Sequence, residues 1–258
     1  MDAPMIEVQG LRKTFEGGKG GKRVVAVDDL GFSVASGEVY GLLGPNGAGK
    51  TTTLRVLATL LKPDAGTAKV AGYDVVGDAE AVRARIGVVN GGMGLYDRLT
   101  GREILRYFGR LYGMDESAVD ERIEMLDALL SLGDTLDRRA GGFSTGMKQK
   151  VVVARAVIHD PPVIFFDEAT SGLDVVARRA VIDFVKAYPS EDRAVIYSTH
   201  VMSEVEELCD RCCVIYGGRK IAEGTVAELN AQTESQSLEE AFFRLVSRSG
   251  IAAQEVAA

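Results

Sequence analysis

The feature that most limits how this chain can fold is the stretch Gly44-Pro45-Asn46-Gly47-Ala48-Gly49-Lys50-Thr51-Thr52, set between two apolar segments. Val39 to Leu43 reads as a buried strand, and Leu54 to Leu61 reads as a helix. Strand, glycine-rich turn and helix form the context in which G-x-x-x-x-G-K-[ST] holds a phosphate. Residues without Cβ let successive N–H groups curl around an anion, and the helix start adds roughly half a positive charge. Lys50 can reach the outer phosphate oxygens, and the Thr51 hydroxyl can ligate Mg2+.

Composition narrows the setting. The 258 residues suffice for one large α/β domain or two smaller ones, and 46% hydrophobic with 26% charged content is ordinary for a globular chain. An excess of acidic residues leaves a net charge of −7, which argues against a dominant nucleic-acid surface. No apolar run approaches the ~20 residues of a membrane span, and the first residues do not read as a signal peptide. The expectation is a cytoplasmic protein that needs a partner to act across a membrane. Cys209, Cys212 and Cys213 lie close together, but His159 and His200, the only histidines, give no zinc-ligand spacing. Buried reduced thiols are expected, two of them on the strand Cys212 to Tyr216.

Residues 5 to 15 read as a strand, Glu16 to Arg23 as a flexible hairpin tip, Val24 to Val27 as a second strand, and Phe32 to Val34 as a third after a turn at Asp28-Asp29-Leu30. A small antiparallel sheet is thus expected before the phosphate loop. Thr67 to Ala71 returns as a strand. Thr100 and Glu103 form a capping box, and Ile104, Tyr107, Phe108 and Leu111 follow at helical spacing. A second amphipathic stretch with Ile123, Leu126, Leu129 and Leu130 is expected to end at Gly133 as its cap. Val163 to Phe166 is wholly apolar and ends in Asp167-Glu168, and Val195 to Tyr197 ends in Ser198-Thr199-His200. Such strands suit a parallel sheet covered on both faces, whose ligands gather at the strands' carboxyl ends. The tail from about Thr225 reads as helical, with Leu238, Ala241, Phe242 and Leu245 on one face.

Taken together, the phosphate loop, Phe143-Ser144-Thr145-Gly146-Met147-Lys148-Gln149, the strand end at Asp167-Glu168, Ser171-Gly172-Leu173-Asp174 and Ser198-Thr199-His200 resemble, in this order, the motifs of the ATP-binding-cassette (ABC) family. The resemblance covers residues 5 to 220. Gly94 to Glu103 with the FSTGMKQK stretch resembles the bacterial exporter branch that includes sodium-efflux ATP-binding subunits. It implies an α/β fold: a P-loop NTPase core of mostly parallel sheet, an N-terminal antiparallel β subdomain and an inserted helical subdomain. The expected division is a nucleotide-binding domain over 1–224, with its helical part at about 95–160, and a helical tail over 225–258.

The resemblance implies an ATPase subunit that dimerises head to tail around two Mg-ATP and drives a separate membrane permease from the inner face of the cell membrane. Gly44 through Thr52 cradle the phosphates and Phe15 stacks on adenine. Thr51 and Asp167 hold Mg2+, while Lys50 neutralises phosphate charge. Glu168 and His200 act on the attacking water and the γ-phosphate. Ser144, Thr145, Gly146, Met147 and Asp174 contact the partner's ATP. Phe143 and Thr145 depart from the family's usual LSGGQ. The family's glutamine after the strand Ile86 to Val89 is absent, Gly91 standing at its place with the shorter amide Asn90 beside it. Ala169 and Val175 replace common prolines. A non-transport ABC ATPase acting on nucleic acid would need a coiled-coil insertion or second cassette, and a GTPase would need N-K-x-D; neither appears.

Overall fold

A computed structural model of the chain describes residues 3–17 and 23–250. The elements run β1 Ile6–Phe15, β2 Val24–Val34, β3 Val39–Leu43, α1 Lys50–Leu57, β4 Ala65–Val70, β5 Tyr73–Asp74, α2 Ala79–Arg83 and β6 Ile86–Asn90. Then come α3 Gly101–Leu111, α4 Glu116–Leu130, α5 Thr145–Ala156, β7 Val163–Asp167, α6 Val175–Ala187, β8 Ala194–Thr199, α7 Met202–Leu208, β9 Arg211–Tyr216, β10 Arg219–Gly224, α8 Val226–Thr233 and α9 Leu238–Ser249. Two sheets form, in the orders β2-β1-β4-β5 and β10-β9-β3-β8-β7-β6. The first is antiparallel. In the second, every pair except β10 with β9 is parallel, so β3, β6, β7 and β8 all end on one rim.

Burial follows from the sequence pattern. β3 and β8 are buried at every position, as strands covered on both faces must be. One apolar cluster, including Leu42, Leu54 and Phe165, fills the space between the two sheets; a second, including Phe166, Ile123 and Val152, joins α3 to α5 to the other face. A third seats the tail: Leu229, Leu238, Phe242 and Leu245 pack on Leu43, Val205, Cys212 and Val214. The tail therefore buries its apolar stripe against its own sheet.

Three local expectations change. Val24 to Val34 is one strand, because Asp29 takes a left-handed conformation (φ 55°) and bulges the ladder instead of reversing it. The first helix starts at Lys50, four residues before its apolar run, and stops at Leu57. Its start follows directly on the loop, with Gly49 as a left-handed N-cap, and the Thr53 hydroxyl donates back to the Gly49 carbonyl at 3.0 Å. The left-handed cap of α4 is Ser131 (φ 51°), with Gly133 opening a short 3-10 turn. Residues 18–22 of the expected hairpin tip, and 251–258 of the tail, lie outside the described residues.

A candidate phosphate and nucleotide site

The register of the large sheet brings the chemistry together. Leu43 pairs with Thr199, and Asp167 pairs with both Ser198 and Asn90. The phosphate loop leaves β3 in line with the polar ends of β7 and β8. Asn46 through Thr52 line a cavity of about 280 Å³ together with Ala26 and Glu168. Gly49 takes φ 106°, and a Cβ there would meet the Ala26 carbonyl at 2.4 Å, so only glycine fits the last turn before α1.

Lys50 is buried, and its ammonium donates to the carbonyls of Gly44 at 2.8 Å and Pro45 at 3.0 Å. A carboxylate oxygen of Glu168 lies 3.4 Å away. Desolvation pulls the Lys50 ammonium below its ordinary range, while Glu168 and Asp167 oppose that shift. The two adjacent carboxylates diverge, as consecutive strand residues do. Asp167 accepts from the Thr51 hydroxyl at 3.1 Å and the Ser198 hydroxyl at 3.0 Å. Glu168 leaves the strand with φ 50°, turning its carboxylate toward Lys50 and His200, whose Nδ1 is 3.4 Å from it. Ser198, singled out in the sequence only as part of a motif, thus helps orient Asp167.

The expected metal ligands are a hydroxyl and a carboxylate. Two hard oxygens, with room left for water and phosphate, fit Mg2+, which is held by few protein ligands. Among the described residues no cluster of three or more His, Cys, Asp or Glu forms a protein-only metal cage. Cys212 and Cys213 are buried free thiols, and Cys209 is a partly buried one.

The other expected contacts fall elsewhere. Phe15 ends β1 with its ring 39% exposed and does not line the phosphate-loop cavity. Ser144, Gly146, Met147 and Asp174 line a separate cavity of about 260 Å³ with Val176 and Ala177; Thr145 is exposed on the first turn of α5. Ser144 caps α5 by accepting from the Met147 amide at 3.2 Å, and Asp174 caps α6 through the Ala177 amide at 2.9 Å. Within one chain these residues meet each other but not the phosphate loop. They are linked to it through Gln149 of α5, whose amide donates to the Ala169 carbonyl at 2.8 Å, one residue beyond Glu168.

The end of β6 is bare. A Cβ on Gly91 would lie 2.8 Å from the Glu168 carbonyl, so this backbone accepts no side chain there without moving. Asn90 lines a different groove, with Phe108, Tyr112 and Arg155.

The comparisons agree with this geometry. The family profile described as ABC transporter matches residues 27–171. The ABC transporter ATP-binding protein NatA of Bacillus subtilis is 44% identical over 235 residues, covering 91% of this chain and 95% of that protein. The daunorubicin/doxorubicin resistance ATP-binding protein DrrA of Streptomyces peucetius is 42% identical over 233 residues, covering 90% of this chain and 69% of that protein. Among solved structures, an ATP-binding subunit of an ABC transporter superimposes with a TM-score of 0.82 at 30% identity, over 94% of this chain and 99% of that one. A dimeric ATP-binding cassette in a post-hydrolysis state shares the fold, with a TM-score of 0.76 at 22% identity, over 86% of this chain and 98% of that one. This chain belongs to the ABC transporter family, as an ATP-binding subunit.

Proposed function

We propose that the chain hydrolyses Mg-ATP as a head-to-tail homodimer and thereby drives a separate membrane permease, most simply an exporter. One observation carries the reading: Lys50, Thr51, Asp167, Glu168 and His200 converge where three adjacent parallel strands end. Lys50 and the loop amides take phosphate charge. Thr51 and Asp167 hold Mg2+, which supplies charge neutralisation at the phosphates. Glu168 orients the attacking water and accepts its proton, and His200 holds the γ-phosphate side of that water. Gly91 offers no side chain to that water.

The dimer is supported by the separation of the two cavities, since Ser144 to Met147 and Asp174 reach a nucleotide only if it sits in a second copy. Export is supported by the name of a relative, a Nod factor export ATP-binding protein of Ralstonia nicotianae, 41% identical over 226 residues. Among the described residues no helix is long and apolar enough to cross a membrane; in this reading the subunit sits on the inner face of a separate permease. The groove of about 370 Å³ between Leu60, Asn90, Phe108 and Tyr112, flanked by exposed Tyr107 and Leu111, is its seat. The test is Glu168→Gln: turnover should vanish while ATP binding persists and the closed dimer accumulates on a sizing column. Retained turnover would remove Glu168 from its role.

A further inference from the structure

Glu204, on the first turn of α7, is 1% exposed and lies outside every motif considered so far. Its carboxylate accepts four hydrogen bonds. One oxygen takes the Thr170 hydroxyl at 2.7 Å and the Arg178 Nε at 3.0 Å. The other takes the Thr199 hydroxyl at 2.7 Å and the Tyr197 hydroxyl at 3.2 Å. Four donors fill the acceptor capacity of an ionised carboxylate, and a glutamine, with one acceptor oxygen, cannot reproduce them. Burying a carboxylate is costly unless it is so satisfied.

The donors come from the segments that carry the reacting groups. Thr199 precedes His200, and its hydroxyl also accepts from the Val201 amide at 3.0 Å, so both neighbours of His200 hang on one hydroxyl anchored to Glu204. Thr170 lies two residues beyond Glu168 and opens the turn to Asp174; Arg178 lies one helical turn beyond Asp174. We propose that Glu204 is a positioning residue for hydrolysis: it sets the separation of His200 from Glu168 and ties that pair to the Ser171–Asp174 turn that faces the partner subunit. The inference rests on the reading of Glu168 and His200 as the hydrolytic pair.

Thr199 offers the cleanest test, because valine matches its shape and suits a strand, whereas serine keeps the hydroxyl. The purified chain is assayed at saturating Mg-ATP, with thermal midpoints measured alongside. Thr199→Val should lower kcat about tenfold, a transition-state loss of about 1.4 kcal/mol, and leave KM for ATP within about twofold. Thr199→Ser should restore kcat to within about twofold of the parent. Glu204→Gln should show the same split, and combined with Thr199→Val it should cost less than the product of the two single losses. Unchanged kcat in Thr199→Val, a serine variant as slow as the valine one, or losses that multiply would each overturn the proposal. Glu168→Gln, run in parallel, separates the two ideas: if it turns over, the reading of the hydrolytic pair fails, whatever the Thr199 series shows.

Discussion

The starts of α1 and α5 differ from every other α-helix start among the described residues. α3 and α8 carry capping boxes in which Glu103 and Glu228 close back on the helix N-terminus, and α2, α4, α7 and α9 also place an acid in the first turn. α6 is capped by Asp174. α1 and α5 have no carboxylate at the cap or in the first turn. A carboxylate there compensates the positive end of the helix dipole and is ordinarily stabilising by about 0.3–1 kcal/mol. The two helices that forgo it are those whose first turns meet the anion in the proposed dimer. They also differ from one another. Gly49 leaves the α1 start without any side-chain cap, whereas Ser144 already satisfies one α5 amide. On the proposed reading α1 receives the phosphate of its own site, and α5 holds its shape until a partner brings one.

Two measurements can break this contrast, and a third tests a smaller effect elsewhere. The largest effect belongs to the α1 side: Lys50→Ala should lower phosphate release on the order of 10²- to 10³-fold, as loss of one preorganised charge-stabilising group does. A variant within tenfold of the parent would mean that the loop amides suffice without the ammonium. On the α5 side, Thr145→Glu adds an acid to an exposed first-turn position. Its thermal midpoint should stay level or rise by about 2 °C, while turnover falls at least about tenfold as like charges meet across the dimer. Equal activity would show that the α5 start does not face nucleotide.

The smallest effect lies past the far end of α5. His159 stacks on Tyr112 with ring centroids 3.6 Å apart, and its Nε2 donates to the Ile86 carbonyl at 3.2 Å. Desolvation pulls its pKa down to about 4 from an ordinary value near 6.5. Between these values the unfolded chain binds the proton and the folded one refuses it, so stability is full above pH 6.5 and declines as pH falls toward 4. The slope reaches about 1.4 kcal/mol per pH unit. Denaturant midpoints between pH 5 and 7 should show this limb, and His159→Phe should flatten it. A limb unchanged in that variant would assign it to other groups.

Where a signal was local in sequence, the fold was legible. The Thr100–Glu103 capping box, the apolar strands and the glycine-rich turn each state their geometry within a few residues, and all three appear as expected. Errors arose where an adjacent loop or a cross-strand pairing overrode propensity. The apolar run at Leu54 placed the start of α1 too late, because the loop sets the helix start from Lys50. At Asp29 an acidic pair looked like a turn, but pairing with β1 carried the strand through it. The site was legible to the extent that its residues sit in named motifs. Gln149 to Ala169 and Thr170 to Glu204 were not, since they join separate segments and leave no periodic trace. The crowding at Gly91 depends on the Glu168 backbone and is equally invisible in one dimension.

The Thr51–Asp167 contact spans 116 positions, and this has a consequence for the birth of the protein. At synthesis rates of roughly 5–20 residues per second, Thr51 of the phosphate loop is made roughly 6 to 23 s before its carboxylate partner. During that interval β3 has neither of its flanking strands, because β8 and β9 are translated later still. ATP, however abundant, cannot stabilise the nascent chain through a site that does not yet exist. On the proposed reading the nucleotide therefore acts as a late selector, favouring only chains that have been translated past β9 and have closed their central sheet.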